Sequence, residues 1–95
     1  MDKEGSTQQR VAMRRANQLV VGRTPGAAHL TIRCECGRSC GRWVSVPSEA
    51  YESARSRGRF ITAKGHARLA GDRVVLERRE YDVVEQPRLI PSSLR

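Results

Sequence analysis

Residues 32–43 read IRCECGRSCGRW and contain all three cysteines of the chain within seven positions. Cys34 and Cys36 are separated by one residue, so an extended backbone places both side chains on the same face. Gly37 allows the backbone to bend sharply, and Cys40 can then return to the same point. Three thiolates that converge are one ligand short of the four that a structural zinc site requires. The stretch therefore predicts a metal site whose last ligand comes from elsewhere in the chain.

The chain has two histidines, His29 and His66, that can supply this fourth ligand. His66 follows a predicted strand over residues 59–64, so the fold can deliver it to the cysteines from a distant turn. His29 lies on the same extended stretch as Cys34, which places it about 16 Å away along the strand. We therefore predict a zinc ion bound by the three cysteines and His66. His29, a water molecule and an acidic side chain are the alternatives for the fourth position.

Three other interpretations of the cysteine cluster remain open. Iron–sulfur clusters also use thiolates, although usually four of them. A redox or catalytic cysteine is the second alternative, because the flanking Arg33, Arg38 and Arg42 would favour reactive thiolates if no metal held them. In a zinc site the same arginines would offset the net negative charge of three thiolates around a divalent ion. Inert free cysteines are the third alternative.

The length and composition of the chain limit the core that it can build. The chain has 95 residues, of which 38% are hydrophobic and 4% aromatic. Its ends are polar or rich in proline, and the remaining folded part of about 60 to 80 residues usually needs disulfides or a metal to be stable. The first ten residues lack the apolar segment of a signal peptide, and no run approaches the length of a membrane span. We therefore expect a cytoplasmic protein, in which cysteines stay reduced and clustered thiols indicate metal binding.

Residues 6–21 are predicted to form a helix that starts at Ser6, which forms a capping box with Gln9. Residues 1–28 are interpreted as an N-terminal helical arm and linker, with Gly22 ending the helix. The pattern is amphipathic, with Arg10, Arg14 and Gln18 largely opposite an apolar set that consists of Val11, Ala12, Ala16, Leu19 and Val20. This pattern favours packing against the domain or a dimer partner over reading of DNA.

Residues 29–86 are predicted to form a zinc-binding α+β domain, followed by a flexible tail over residues 87–95. The fold class is a small zinc-stabilised antiparallel sheet with one short helix, preceded by the N-terminal helix. Alternating and β-branched residues predict strands, and Pro47 and Gly58 bound a helix. The predicted elements are strands over 29–34, 42–46 and 59–64, a helix over 47–58, and two strands within 73–86 joined through residues 78–80.

The charge of the chain is strongly positive, at +8 with a pI of about 10.7. Residues 53–68 carry five basic side chains and no acidic one, namely Arg55, Arg57, Arg59, Lys64 and Arg68. Together these would face phosphate groups, which indicates weak binding of nucleic acid or association with transcription machinery. We expect Trp43 and the other aromatic residues in the core, which limits this binding to a non-specific kind.

The motifs along the chain resemble those of a family of small actinobacterial zinc-binding-type proteins of unknown function. The similarity covers most of residues 10–86. It consists of Asn17 in a preceding helix, the C-x-C-x3-C cluster, Tyr51 and Glu52, Phe60, Gly65 and His66, and hairpin residues 74–78 and 83–85. The chain departs from the family pattern at Lys64, where a proline is more common, and at Leu76. The resemblance implies a site of three cysteines plus His66, and no activity.

These observations predict a small binding module with a structural zinc rather than an enzyme. Four protein ligands leave no open position on the metal, and no catalytic triad, phosphate-binding loop or carboxylate pair stands out. The module would be regulatory or associated with nucleic acid. The alternatives are a protein-interaction or dimerisation module that uses residues 6–21, and a redox-active thiol protein.

Overall fold

The chain folds into two helices and five strands in the part described by the computed structural model, residues 6–38, 40–66, 69 and 71–86. The elements are α1 (Thr7–Gly22), β1 (His29–Arg33), β2 (Trp43–Pro47), α2 (Ser48–Ser56), β3 (Phe60–Ala63), β4 (Arg73–Glu77) and β5 (Tyr81–Glu85). The predicted α+β fold class is confirmed. The predicted tail, residues 87–95, lies outside the described residues.

The strands form two antiparallel sheets instead of the single small sheet that the sequence predicts. One sheet contains β1 and β2, and the other has the order β3-β5-β4. The two sheets meet just after β1, where the amide of Glu35 donates to the carbonyl of Ile61 in β3 at 2.9 Å. This junction lies between the first two cysteines of the cluster. The cysteine motif is therefore placed where the sheets join.

The core lies against the inward faces of β1, β2, β3 and β5. Alternation in β1 and β2 buries every second residue, as the sequence predicts, and leaves the others exposed. In β3 all four residues are buried, because this strand is covered on both faces. The buried aliphatic residues of the four strands are Leu30, Ile32, Val44, Val46, Ile61, Ala63, Val83 and Val84.

Helix α2 connects the two sheets and packs on the core with one face. Tyr51 and Ala54 are buried, and Ala50 packs against the cluster from its edge. The helix begins after Pro47, whose fixed φ suits a helix start. It ends before Gly58, which has a φ of +71° and donates its amide back to the helix.

Helix α1 packs on the domain with its polar side and presents its apolar side to solvent. Ser6 caps the helix as predicted, by accepting a hydrogen bond from the amide of Gln9 at 3.1 Å. Arg10 and Asn17 are buried at 0% and 1% exposure, whereas Leu19 is 66% exposed. The amphipathic pattern therefore does not identify the packing face of this helix. Within the described residues, neither helix has the length and apolar character to cross a membrane.

Candidate metal centre

The backbone that follows β1 carries the first two cysteines. Cys34 and Cys36 are buried, with 3% and 2% exposure. Glu35 lies between them, but its carboxylate is directed elsewhere. It accepts hydrogen bonds from the amide of Ile61 at 2.9 Å and from the carboxamide of Asn17 at 2.8 Å. The two sulfur atoms are thus left on one side of the chain, as the C-x-C spacing predicts.

Cys40 is brought back to the first two cysteines by the loop between β1 and β2. Gly37 and Gly41 have φ values of +87° and +76°, a conformation that residues with a side chain rarely adopt. The base of the loop is closed by the amide of Cys34, which donates to the carbonyl of Arg42 at 2.9 Å. The amide of Arg42 donates in turn to Cys40 Sγ at 3.5 Å. Cys40 is exposed, so the cluster is open to solvent on this side.

His66 reaches the cysteines from a turn that follows β3. The amide of His66 donates to the carbonyl of Ala63 at 3.0 Å, and Gly65 provides the positive φ, +80°, that the turn requires. Asp82 in the neighbouring β5 holds this turn. Its carboxylate accepts hydrogen bonds from the amide of Gly65 at 2.9 Å and from Nζ of Lys64 at 3.1 Å. The pairing of β3 with β5 therefore sets the position of His66.

The four predicted ligands come together in the fold. One donor atom from each of Cys34, Cys36, Cys40 and His66 lies within 4.8 Å of all the others. Cys34 Sγ is 3.6 Å from His66 Nδ1. Tetrahedral zinc, with Zn–S bonds of about 2.3 Å and Zn–N bonds of about 2.0 Å, requires a sulfur–nitrogen separation of about 3.5 Å. The donor set and its spacing thus fit a tetrahedral metal ion.

The surroundings of Cys34 favour a protonated sulfur in the absence of a cation. Burial raises the pKa of the Cys34 thiol, and the neighbouring Cys36 and Cys40 raise it further. The amide of Ala63 donates to Cys34 Sγ at 3.1 Å and lowers this pKa only in part. A metal ion deprotonates a coordinating thiol outright. A bound divalent cation would therefore allow Cys34 to be a thiolate beside the sulfur atoms of Cys36 and Cys40, even though Cys34 is buried.

A fully buried arginine from α1 supports the backbone of the cysteine motif. Arg10 donates through Nε to the carbonyl of Glu35 at 2.8 Å and through Nη2 to the carbonyl of Cys36 at 3.2 Å. Its guanidinium forms a bidentate ion pair with Asp72, at 2.7 and 2.9 Å, and donates to Gln86 at 3.1 Å. All the N–H donors of the guanidinium have acceptors. Distant parts of the chain thus meet behind the first two cysteines.

Asn17, about two helical turns further along the same side of α1, fixes the end of β1. Its carboxamide donates to the carbonyl of Arg33 at 2.9 Å and accepts from the amide of Arg33 at 2.9 Å. The same nitrogen donates to Glu35. Burial raises the pKa of the Glu35 carboxyl above its ordinary value, and the hydrogen bonds from Ile61 and Asn17 offset this rise only in part. Helix α1 therefore fixes the residues on both sides of Cys34.

His29, the alternative fourth ligand, lies outside the donor group. It is exposed at the start of β1, opposite Pro47, whereas Cys34 follows the other end of that strand. Strand β1 therefore separates His29 from Cys34 in the fold, as the sequence predicts. The predicted choice of His66 over His29 agrees with the grouping of the donor atoms.

The predicted basic patch is partly neutralised by carboxylates. Three of its members form ion pairs, Arg55 with Glu52 (2.7 Å), Arg59 with Glu85 (3.7 Å) and Lys64 with Asp82 (3.1 Å). Arg57 is exposed at the end of α2, and Arg68 lies outside the described residues. The charge available on this surface is therefore smaller than the spacing of basic residues in the sequence suggests.

The sequence interpretation missed the residues that hold the ligands in place, chiefly Arg10, Glu35 and Asp82. Arg10 was expected on the polar side of a helix, and that side turns out to be buried. A usable signal is that Arg10 and Asn17 are seven residues apart and so lie on the same side of α1. Their acceptors come from other segments, which local periodicity does not reveal.

We expect the substitution Asp82→Asn to weaken metal binding about tenfold, the lower end of the effect of losing a contact that orients a ligand. Asp82 holds the turn before His66 through two acceptor contacts, and an asparagine retains only one acceptor oxygen. The measurement is competition for Zn²⁺ with a chromophoric chelator. Glu77→Gln is the matched control, because Glu77 is exposed and lies 3.7 Å from Nζ of Lys64, whereas the amide of Gly65 donates to Asp82. Equal affinities of the two variants would show that Asp82 does not position His66.

The functional conclusion for this chain rests on the geometry of the four donor residues. No protein-family model matches the chain, and no curated protein or solved structure matches it.

Proposed function

We propose that Cys34, Cys36, Cys40 and His66 bind a structural zinc ion, and that the protein is a small cytoplasmic binding module rather than an enzyme. The grouping of the four donor atoms within 4.8 Å is the observation that carries this proposal. Four protein ligands complete a tetrahedral zinc site and leave no position for water or a substrate. The role of the ion would accordingly be to stabilise the fold.

The position of the ligands supports a structural role. Three of them belong to the β1–β2 hairpin, and the fourth follows β3 in the other sheet. An ion at this point would tie the two sheets together, next to the backbone junction between Glu35 and Ile61. A chain with so small a core gains most from such a connection. Zinc is favoured over an iron–sulfur cluster because the donor set is three sulfurs and one imidazole nitrogen.

The binding partner is a separate element of the proposal. Association with nucleic acid or a regulatory complex is supported by the excess of arginine over lysine, since arginine forms bidentate contacts with phosphate. Capture of a protein partner or self-association through residues 6–21 stays a prediction. The apolar residues that α1 exposes, Val11, Leu19 and Val20, are compatible with it.

Metal analysis of the purified full-length chain tests the zinc site directly. We expect about one equivalent of zinc per chain. We also expect that replacement by Co²⁺ gives the intense visible bands of tetrahedral cobalt together with sulfur-to-cobalt charge transfer. Folded protein without a bound metal, or octahedral cobalt spectra, would contradict the proposal.

Substitution of the histidines identifies the fourth ligand. His66→Ala should lower zinc affinity by more than the roughly 10–100-fold that loss of an outer contact costs, because a ligand itself is removed. His66→Cys should retain tight binding, since it restores four ligands of suitable chemistry. His29→Ala is the matched control and should bind zinc as the natural chain does. An equal loss in His29→Ala and His66→Ala would overturn the assignment of His66.

A further inference from the structure

The outward face of the β1–β2 hairpin is polar and basic and contains an exposed tryptophan. The antiparallel register pairs residues of the outward face with one another, including Arg33 with Trp43 and Thr31 with Ser45. All of these residues are exposed, because alternation directs their neighbours into the core. The hairpin thus presents a continuous surface that starts beside the cysteine cluster.

Trp43 is not in the core, contrary to the expectation from the sequence. It is 54% exposed, although it is the only tryptophan of the chain and one of only four aromatic residues. The guanidinium carbon of Arg33 lies 4.5 Å from the centre of the Trp43 ring. The arginine therefore stacks on the ring and holds it at the surface. An exposed indole that is fixed in this way can stack on a further flat group.

The segment of the chain that contains this aromatic surface is strongly basic. Residues 6–48 contain seven arginines and a single acidic residue, Glu35. Arg10 and Glu35 are buried, so six arginines and no carboxylate of this segment remain at or near the surface. Arg33, Arg38 and Arg42 lie in the hairpin itself, and none of them forms an ion pair within the described part of the chain. In the basic patch predicted over residues 53–68, by contrast, Arg55, Arg59 and Lys64 form ion pairs with carboxylates.

We infer that the outward face of the β1–β2 hairpin, together with the loop that joins its strands, binds single-stranded nucleic acid, with a base stacked on Trp43 and phosphate groups bound by Arg33 and by Arg38 and Arg42 of the loop. Binding of single strands combines aromatic platforms with a basic surface, which are the two properties combined here. The inference names a partner for the binding module and rests on the proposed metal site, because Cys34 and Cys40 hold the loop that carries Arg38 and Arg42.

An unpaired strand suits this surface better than a duplex or an acidic protein. In a duplex the bases are stacked on one another, so Trp43 would contribute little to binding. An acidic peptide would pair with the arginines but would supply no flat group for the indole. Both charge and stacking are used only when bases and phosphates are presented together.

Fluorescence of Trp43 tests the inference in the zinc-loaded full chain, because this residue is the only tryptophan. The probes are oligo(dT) and oligo(U) of about 12 nucleotides, a size typical of one binding site. The comparison probes are a duplex of the same length, heparin and polyglutamate. We expect either single strand, or both, to quench Trp43 and to bind more tightly than the duplex. A preference between them identifies DNA or RNA as the source of the strand.

Variants separate stacking from charge. Trp43→Ala should lower single-strand affinity about tenfold or more, and Trp43→Phe should retain part of it. Arg33→Gln should weaken binding and lower the slope of log affinity against log salt by about 0.7. Arg57→Gln is the matched control, because it removes the same charge from an exposed arginine outside the hairpin. Circular dichroism and metal content confirm that each variant is folded.

Several results would overturn the inference. These are tighter binding of the duplex, equal losses in Arg33→Gln and Arg57→Gln, and equal quenching by heparin or polyglutamate, the last of which would indicate a protein or another polyanion as partner. Failure of binding in protein that contains one zinc overturns this inference alone. A folded chain without metal overturns the proposed zinc site instead, so the two failures are distinguishable.

Discussion

Replacement of Arg10 by alanine is expected to lower the free energy of unfolding by about 3–5 kcal/mol, the cost of breaking a buried ion pair by removing one partner. The substitution leaves the carboxylate of Asp72 buried without its cation, since that side chain is only 2% exposed. It also removes the donors to the carbonyls of Glu35 and Cys36. Small domains have total stabilities of about 5–15 kcal/mol, so this loss is a large part of the whole.

Urea denaturation in excess zinc measures the effect, and two further variants serve as references. Arg15→Ala removes an exposed arginine from the same helix and should change stability by no more than about 0.5 kcal/mol. Arg10→Lys keeps the charge but cannot reproduce the planar set of donors, so most of the loss should remain. If Arg10→Ala proves as stable as Arg15→Ala, the contacts of Arg10 do not support the cysteine motif. Should Arg10→Ala fail to fold, Arg10→Lys still measures the loss.

Removal of the metal should unfold the domain. Structural zinc contributes about 10–16 kcal/mol in zinc-finger peptides, which is as large as the total stability of a small domain. Excess chelator should therefore abolish the far-ultraviolet circular dichroism of the strands and helices, and added Zn²⁺ should restore it. Retention of the same spectrum and the same urea midpoint by metal-free protein would contradict a structural role.

Acidification should release the same metal, because the bound form requires three thiolates and a neutral imidazole. Protons compete for all four ligands, so stability should fall as the pH is lowered. The measurement is zinc release, followed with a chromophoric chelator during acid titration. The matched control is His66→Cys, which replaces the imidazole by a fourth thiolate. Unfolding that precedes zinc release would show that the metal does not set the acid sensitivity.

The positions of strands and ligands could be predicted because local rules govern them. Alternation in β1 and β2 determines which residues are buried, and the structure confirms it for Leu30, Ile32, Val44 and Val46. The choice of His66 followed from the small number of suitable ligands and from the length of a strand. These inferences need only the periodicity of a strand and the coordination number of a metal.

The packing of α1 could not be predicted from its pattern. Periodicity identifies an apolar face, but burial of Arg10 is stabilised by an aspartate 62 residues away, which no local pattern reveals. The junction between the two sheets is held by Glu35, whose backbone amide donates to the carbonyl of Ile61 and whose carboxylate accepts from the amide of Ile61. A glutamate between two cysteines is indistinguishable from a solvent-exposed residue until its partners are known. The missing information is in each case a contact between distant segments.

The contact between Asn17 and Arg33 covers part of a strand edge. β1 belongs to a sheet of only two strands, and the outer edge of such a sheet can add a strand from another molecule. The carboxamide of Asn17 forms hydrogen bonds with both the backbone amide and the backbone carbonyl of Arg33, as a neighbouring strand would. A molecule in which α1 has detached would therefore expose a pairing edge, and aggregation would compete with its refolding.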